Sequence, residues 1–297
     1  DWEVAYDQFV LPVSKNARGY RPYKVGNTTF TVDKATGALN SLCLDGEELL
    51  GSPMTLSLFR PATDNDNRDQ MGAKLWRAAG LDALTQKVVS LKESKTSTTA
   101  QVDILNAKGE KVGDATFAYT LNRDGSVKVR TTFQPDTTLV KSMARPGLTF
   151  EVEDAYDHIT YLGRGEHETY IDRNQSGKIG IYETTPERMF HYYVVPQSTG
   201  NRTDVRWMKL TDDAGKGCWV ESDSPFQFST IAFPDVMVEK ARHINELERN
   251  GKITVHLDAK QAGVGTATCG PGVQSQYLVP LTKQTFDFII YPVKNRE

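Results

Sequence analysis

Apolar and polar residues alternate with a period of two along most of this chain, the pattern of strands that face a core on one side and solvent on the other. Thr29-Phe30-Thr31-Val32-Asp33 and Ala38-Leu39-Asn40-Ser41-Leu42 flank Lys34-Ala35-Thr36-Gly37 and read as a hairpin with a glycine-containing loop. Leu44-Asp45-Gly46-Glu47-Glu48-Leu49-Leu50 carries it on through a tight turn. Predicted strands 116–121 and 127–133 flank Asn122-Arg123-Asp124-Gly125, whose Asp-Gly pair supplies the positive φ of a short hairpin. Residues 252–257 alternate after Asn250-Gly251, and 285–291 form a final strand. Only two segments carry helical spacing. Residues 68–84 place Met71, Leu75, Ala78 and Leu81 on one face, and residues 237–248 set Val238, Ala241 and Ile244 three apart. Many strands with two short helices exclude the alternation of a (β/α)8 barrel. They predict an all-β fold, a large two-sheet antiparallel sandwich.

The first residues stand apart. Trp2-Glu3-Val4-Ala5-Tyr6-Asp7 alternates like a strand that ends in Phe9-Val10-Leu11-Pro12-Val13, and the polar run Ser14-Lys15-Asn16-Ala17-Arg18-Gly19 reads as a linker. A lone strand is not stable, so residues 1–13 are expected to complete a different, preceding domain, and 14–297 to form the sandwich. At 297 residues and 38% apolar, the chain can bury one large core. A net charge of −3 without strong clustering of either sign argues against nucleic acid as a partner. No apolar run approaches the roughly 20 residues of a membrane-spanning helix. The absence of an initiator Met and of a signal peptide suggests a processed or excised piece whose start does not reveal its compartment.

The chemistry-bearing residues are few. Cys43, Cys218 and Cys269 are too far apart for a disulfide framework or a metal pair; Cys43 and Cys218 are expected in the core and Cys269 in a Gly-rich loop. Glu166-His167-Glu168-Thr169-Tyr170-Ile171 begins like a zinc-binding His-Glu-x-x-His helix, but Ile171 holds the second ligand position. Residues 172–183 match an EF-hand loop at several positions, yet the flanks read as loop and strand, so no metal site is predicted. His243 and His256 are expected at the surface or an interface. The densest polar cluster is Phe59-Arg60-Pro61-Ala62-Thr63-Asp64-Asn65-Asp66-Asn67. Its side chains can fix water, a sugar hydroxyl or a loop, and its Asp and Asn residues can cap the helix predicted over 68–84.

Three segments in order resemble the C-terminal domain of large multidomain β-galactosidases, glycoside hydrolase family two. They are the Arg60–Asn67 run, Leu162-Gly163-Arg164-Gly165-Glu166-His167-Glu168-Thr169-Tyr170-Ile171-Asp172-Arg173, and Gly263-Val264-Gly265-Thr266-Ala267-Thr268-Cys269-Gly270-Pro271. The resemblance implies a supersandwich similar to the galactose mutarotase fold, with Arg60, Asp64, Asn65, Asp66, Glu168, Tyr170, Asp172 and Arg173 as structural-motif positions. It implies that Asn67, Arg68, Asp69 and Gln70 form a mobile loop at the active-site mouth, with Thr268 and Cys269 at the pocket edge. Many family members carry a sugar-stacking Trp where this chain has Cys269, which cannot stack, so another aromatic or a different substrate is implied.

The implied parent is a bacterial retaining β-galactosidase, periplasmic or cytoplasmic, whose two catalytic glutamates lie in a barrel outside this chain. No catalytic residue is assigned here. The implied partners are the N-terminal and barrel domains and a β-galactoside, with a homo-oligomeric parent left open. The resemblance attaches magnesium and sodium to the parent and no cofactor to this chain. The rival reading is an independent hexose-binding or aldose 1-epimerase-like module, for which His167 or His191 could serve as acid but no base stands out.

Overall fold

The computed structural model describes residues 6–9, 11, 24, 25 and 27–294. As the alternation predicts, the fold is an antiparallel sandwich. One sheet runs from an edge at Lys178–Thr184 through His158–Gly165, Arg202–Thr211, Gly217–Ile231, Gln284–Lys294, Val127–Pro135, Lys111–Leu121 and Ser97–Leu105 to Thr85–Glu93. The second layer branches from the long strand Gly217–Ile231. Its residues 217–221 pair with Gln284–Lys294, whereas 227–231 pair with Lys252–Asp258, which pairs in turn with Gly147–Glu153 and through it with Thr55–Ser57. Phe150, Val152 and Val255 of this layer meet Met208, Leu210, Cys218 and Val220 of the first. Phe226 meets Phe288 edge-on at 5.6 Å. Burial of these faces is the main force holding the layers together.

Local chemistry fixes the hairpins. Asp45 and Gly46 take φ of 52° and 89°, the two positive values that a tight two-residue turn requires, and Gly125 takes 81°. The strand Lys252–Asp258 departs from expectation. Its alternation predicts one solvent face, yet residues 253–258 are all buried, because a neighbouring helix and loop cover the side that carries Thr254, His256 and Asp258.

The helices also differ from prediction. Among the described residues there are four short ones, and residues 68–84 do not form a single helix. Asp64–Arg68 starts four residues earlier than expected because Thr63, not an Asp or Asn, is the cap: its hydroxyl accepts from Asp66 N while the Asp66 carboxylate accepts from Thr63 N. Asp69 then turns extended, and Ala73–Ala78 forms a separate helix. Gly72 sits at the break, where an added Cβ would lie 2.4 Å from the Asp66 carbonyl oxygen. The segment predicted over 237–248 is the helix Asp235–Lys240 followed by a 3-10 turn, Ile244–Glu246, and Pro186–Met189 is a further short helix. Cys218 is buried as expected, but Cys43 is only half-buried and lies beside Ser41 and Glu48.

The strand predicted at the N-terminus falls mostly outside the described residues, as does the linker; residues 6–9 have no regular structure. They run beside the edge strand Lys178–Thr184. The Gln8 side-chain amide donates to Ile179 O at 2.9 Å and accepts from Ile179 N at 2.6 Å, while the Tyr6 hydroxyl reaches the carbonyls of Gln175 and Ser176.

Candidate functional site

Two segments about 200 residues apart in sequence meet at one edge of the sandwich. The organising group is Arg60, which is fully buried. All five of its N–H donors are used. Two go to Asp66, at 3.0 and 2.8 Å, and the others to Gln261 Oε1, Ala262 O and Gly263 O at 2.7–3.0 Å. A planar fork matched to a carboxylate on one side and to three chain oxygens on the other holds both in a single geometry. The cap that starts the helix Asp64–Arg68 thus also aims Asp66 at Arg60.

Three more side chains clamp the Gly-rich loop. Asp172 accepts from Val264 N and Gly265 N at 3.0 and 2.8 Å. Asn65 donates to Gly265 O at 2.9 Å and accepts from both the amide and the hydroxyl of Thr268 at 3.0 and 2.8 Å. Asp69 accepts from Val273 N at 2.7 Å and from Met71 N at 2.8 Å. The two acids need glycine opposite them: a Cβ at Gly263 would come within 2.5 Å of the Asp172 carboxylate, and one at Gly272 within 2.6 Å of that of Asp69. The clamped loop leaves Thr268, Cys269 and Gly270 exposed at its tip.

The third motif supplies the adjoining wall. One oxygen of Glu168 accepts from Arg173 and from the Tyr193 hydroxyl, the other from Thr199 Oγ1 and Gly200 N at 2.9 Å each. Burial pushes this carboxyl up, but the Gly200 amide, the Tyr193 hydroxyl and Arg173 outweigh it and hold it below the ordinary carboxylate range. A carboxylate with four donors is an anchor for the loop and a poor proton donor. Tyr170 is buried between the guanidinium groups of Arg60 and Arg173, 5.7 and 5.3 Å from its ring centre, and burial raises its hydroxyl far above the usual tyrosine value. Together these walls enclose an open recess of about 230 Å³, lined in part by Asp64, Asn65, Glu168, Arg173, Tyr193 and Thr268.

The remaining predicted positions are less integrated. Asn67 accepts from Arg77 Nη1 at 3.0 Å, on the side facing Glu239. Arg68 and Gln70 are exposed, and their side chains make no hydrogen bond among the described residues. His167 bonds Ser176, and His191 packs edge-on against Tyr193; both are exposed. Glu183, at the end of the EF-like match, is exposed on an edge strand, and no three His, Cys, Asp or Glu side chains gather for a metal among the described residues. Asp66, Asp69 and Asp172 are committed to N–H donors.

Sequence reasoning missed a second polar centre. His256, expected at the surface or an interface, is buried on the covered face of its strand, with Nε2 3.0 Å from Asp235 Oδ1. Arg145, 1% exposed, donates to Asp235 at 2.9 Å and lies 3.7 Å from Asp258, which is fully buried. Burial raises the Asp258 carboxyl; in Asp235 the same effect is outweighed by His256 and Arg145, and its carboxyl is lowered. His256 Nδ1 and Asp258 Oδ1 have no hydrogen-bond partner among the described residues. Gln261 joins the two centres, accepting from Arg60 and donating to Asp258 and Asn201. The available sequence signal was His256-Leu257-Asp258, two ionisable groups that follow Thr254 at alternate positions of the strand.

The family model described as β-galactosidase small chain matches residues 24–290. The chain is 30% identical to a β-galactosidase of Priestia megaterium over 89% of its length and 29% identical to one of Kluyveromyces lactis over 96%. It spans only 27% and 30% of those relatives. Since they come from a bacterium and a yeast, the similarity does not fix a bacterial source. Among solved structures, a GalM/aldose epimerase homologue from C. elegans matches with a TM-score of 0.51 at 12% identity, covering 91% of this chain and 97% of that one. This is a likeness of fold.

Proposed function

Because the chain belongs to the β-galactosidase small-chain family, we propose that it serves a retaining β-galactosidase by bracing the catalytic barrel and walling one side of the sugar pocket. In this reading both catalytic glutamates lie outside the chain: one protonates the leaving oxygen and the other forms the glycosyl-enzyme intermediate. Any magnesium or sodium of the parent is likewise held elsewhere. The observation that carries the reading is the clamp of Arg60, Asn65, Asp69 and Asp172 on the Gly-rich loop. It fixes Thr268 against Asn65 and the Val273 end of the loop against Asp69, and in this reading the exposed loop tip, with Cys269, faces the sugar pocket. A wall built this way orients a substrate without reacting with it.

The test is a comparison of the chain alone with the chain assembled with its catalytic portion. The chain alone should show no turnover of nitrophenyl β-D-galactoside above buffer, and the assembly should turn it over. Hydrolysis by the chain alone, lost on mutation of one of its own acids, would overturn the assignment. Acceleration of α-D-galactose mutarotation by the chain alone would favour an epimerase.

A further inference from the structure

Gln261 bridges the two buried centres and is itself almost completely enclosed. Its carbonyl oxygen accepts from Arg60 Nη1 at 3.0 Å, while its amide nitrogen donates to Asp258 Oδ2 at 3.3 Å and to Asn201 Oδ1 at 3.2 Å. The next two residues, Ala262 and Gly263, give their carbonyls to the same guanidinium and lead into the Gly-rich loop. Asn201 is fixed in turn, donating to Thr169 O at 2.9 Å and to Gln227 Oε1 at 2.7 Å. Of these three side-chain partners of Gln261, Asp258 is the one whose charge can change. Arg60 keeps its proton and Asn201 has none to lose.

A proton has two places to go beside Gln261. Asp258 is faced by Arg145 at 3.7 Å, by Asp235 of the helix Asp235–Lys240 through His256 and Arg145, and by His256 of its own strand. The flanking strands present Gly147 and Gln227 opposite it, neither of them ionisable. Arg145 and Asp235 cancel, so an ionised Asp258 beside a neutral His256 leaves one negative charge buried. One proton on either group removes that charge. The atoms open to it are Asp258 Oδ1 and His256 Nδ1, which lack hydrogen-bond partners among the described residues. Oδ1 lies against the Gly147 backbone, where an added Cβ would come within 2.1 Å of it. Burial favours the neutral Asp258 carboxyl, whereas Arg145, His256 and the Gln261 amide favour the ionised one. The coupling is reciprocal: if a held Gln261 favours ionised Asp258, ionised Asp258 favours a held Gln261.

We propose that Asp258 and Gln261 form a proton-operated latch on the base of the Gly-rich loop. With Asp258 ionised, its charge-assisted bond holds Gln261 in place and Arg60 keeps all its acceptors. Uptake of a proton from solvent weakens that bond, frees Gln261 and loosens the turn at Ala262 and Gly263 that shares Arg60. The loop therefore tightens as pH rises from the ordinary carboxylate value of about 4 through the raised value of Asp258. Over the same interval the fold as a whole loses the contribution of neutral Asp258. The two effects have opposite signs, which separates the latch from global stability.

The experiment measures amide-exchange protection factors of Gly263, Val264 and Gly265 in the full chain between pH 5 and pH 8, corrected for the pH dependence of free-chain exchange. In wild type, protection should rise about threefold across the interval, the gain from replacing a long neutral hydrogen bond by a charge-assisted one. Asp258→Asn, neutral and of the same shape, should give a flat profile at the low-pH level. Gln261→Met, which fills similar space without an amide, should also give a flat loop profile, while its urea midpoint keeps the pH dependence that Asp258 confers. Gln261→Met leaves every charge in place and keeps the test open should Asp258→Asn fail to fold. A flat wild-type profile would overturn the latch, and so would a rise of the wild-type size in either variant.

Discussion

Arg60 and Arg145 are equally buried, yet they sit in opposite kinds of environment. Arg60 has five donors and five acceptors, and Asp66 faces it with both oxygens. Arg145 shares a charge with Asp235, reaches Asp258 only at 3.7 Å, and leaves His256 Nδ1 and Asp258 Oδ1 without hydrogen-bond partners among the described residues. The first network is complete and has one low-energy arrangement. In the second, the number of bound protons is set by compromise among neighbours. The complete network carries the Gly-rich loop; the incomplete one lies one glutamine away, beside the helix Asp235–Lys240. Burial of a guanidinium does not by itself specify a rigid site. The match of donors to acceptors does.

The largest effect should come from Asp66→Ala, which strands the Arg60 charge in the interior and removes the cap partner of Thr63. Loss of one member of a buried pair costs about 3–5 kcal/mol, read as a fall in the urea midpoint. Asp235→Ala should cost less, about 1–3 kcal/mol, because the Asp235 side chain is partly open to solvent. If Asp235→Ala were the more damaging, the contrast between the centres would collapse.

Acidity separates the centres more sharply. Asp258 has a raised carboxyl, so its favourable contribution is complete below about pH 4, the unfolded carboxylate value, and is lost as pH rises through the raised value. Asp235 and Glu168 are lowered, so theirs is present above about pH 4 and disappears as pH falls through the depressed values. Asp258→Asn should therefore gain stability relative to wild type between acid and neutral pH, measured as urea midpoints at pH 5 and pH 8. A constant difference at both values would refute a titrating Asp258. The smallest effect belongs to Asn65→Ala. It should cost about 1–2 kcal/mol and raise amide exchange at Thr268 more than in the strands; exchange unchanged at Thr268 would remove Asn65 from the clamp.

The layered β architecture was legible because alternation is a local property, written into each strand. The hairpin turns at Asp45-Gly46 and Asp124-Gly125 were legible because their dihedrals demand those residues. Three motifs marked the clamp, but which acid meets which amide depends on contacts such as Asp172 with Val264 that span some 90 residues. The helix predicted over 68–84 failed because its spacing was real while Asp69 turned aside to hold Val273. His256 was misplaced because alternation shows that two faces differ and leaves open that both are covered.

The side chain of Gln8 has a consequence for the colloidal behaviour of the protein. By reproducing both halves of a peptide group against Ile179, it stands in for a neighbouring strand without adding one. An exposed sheet margin recruits other chains through the backbone groups it displays, and here one outward-facing pair is already taken, next to the exposed Ile181. Gln8→Leu would uncover that pair and place a greasy side chain beside it. The expected result is faster self-association at high concentration, with little change in melting temperature.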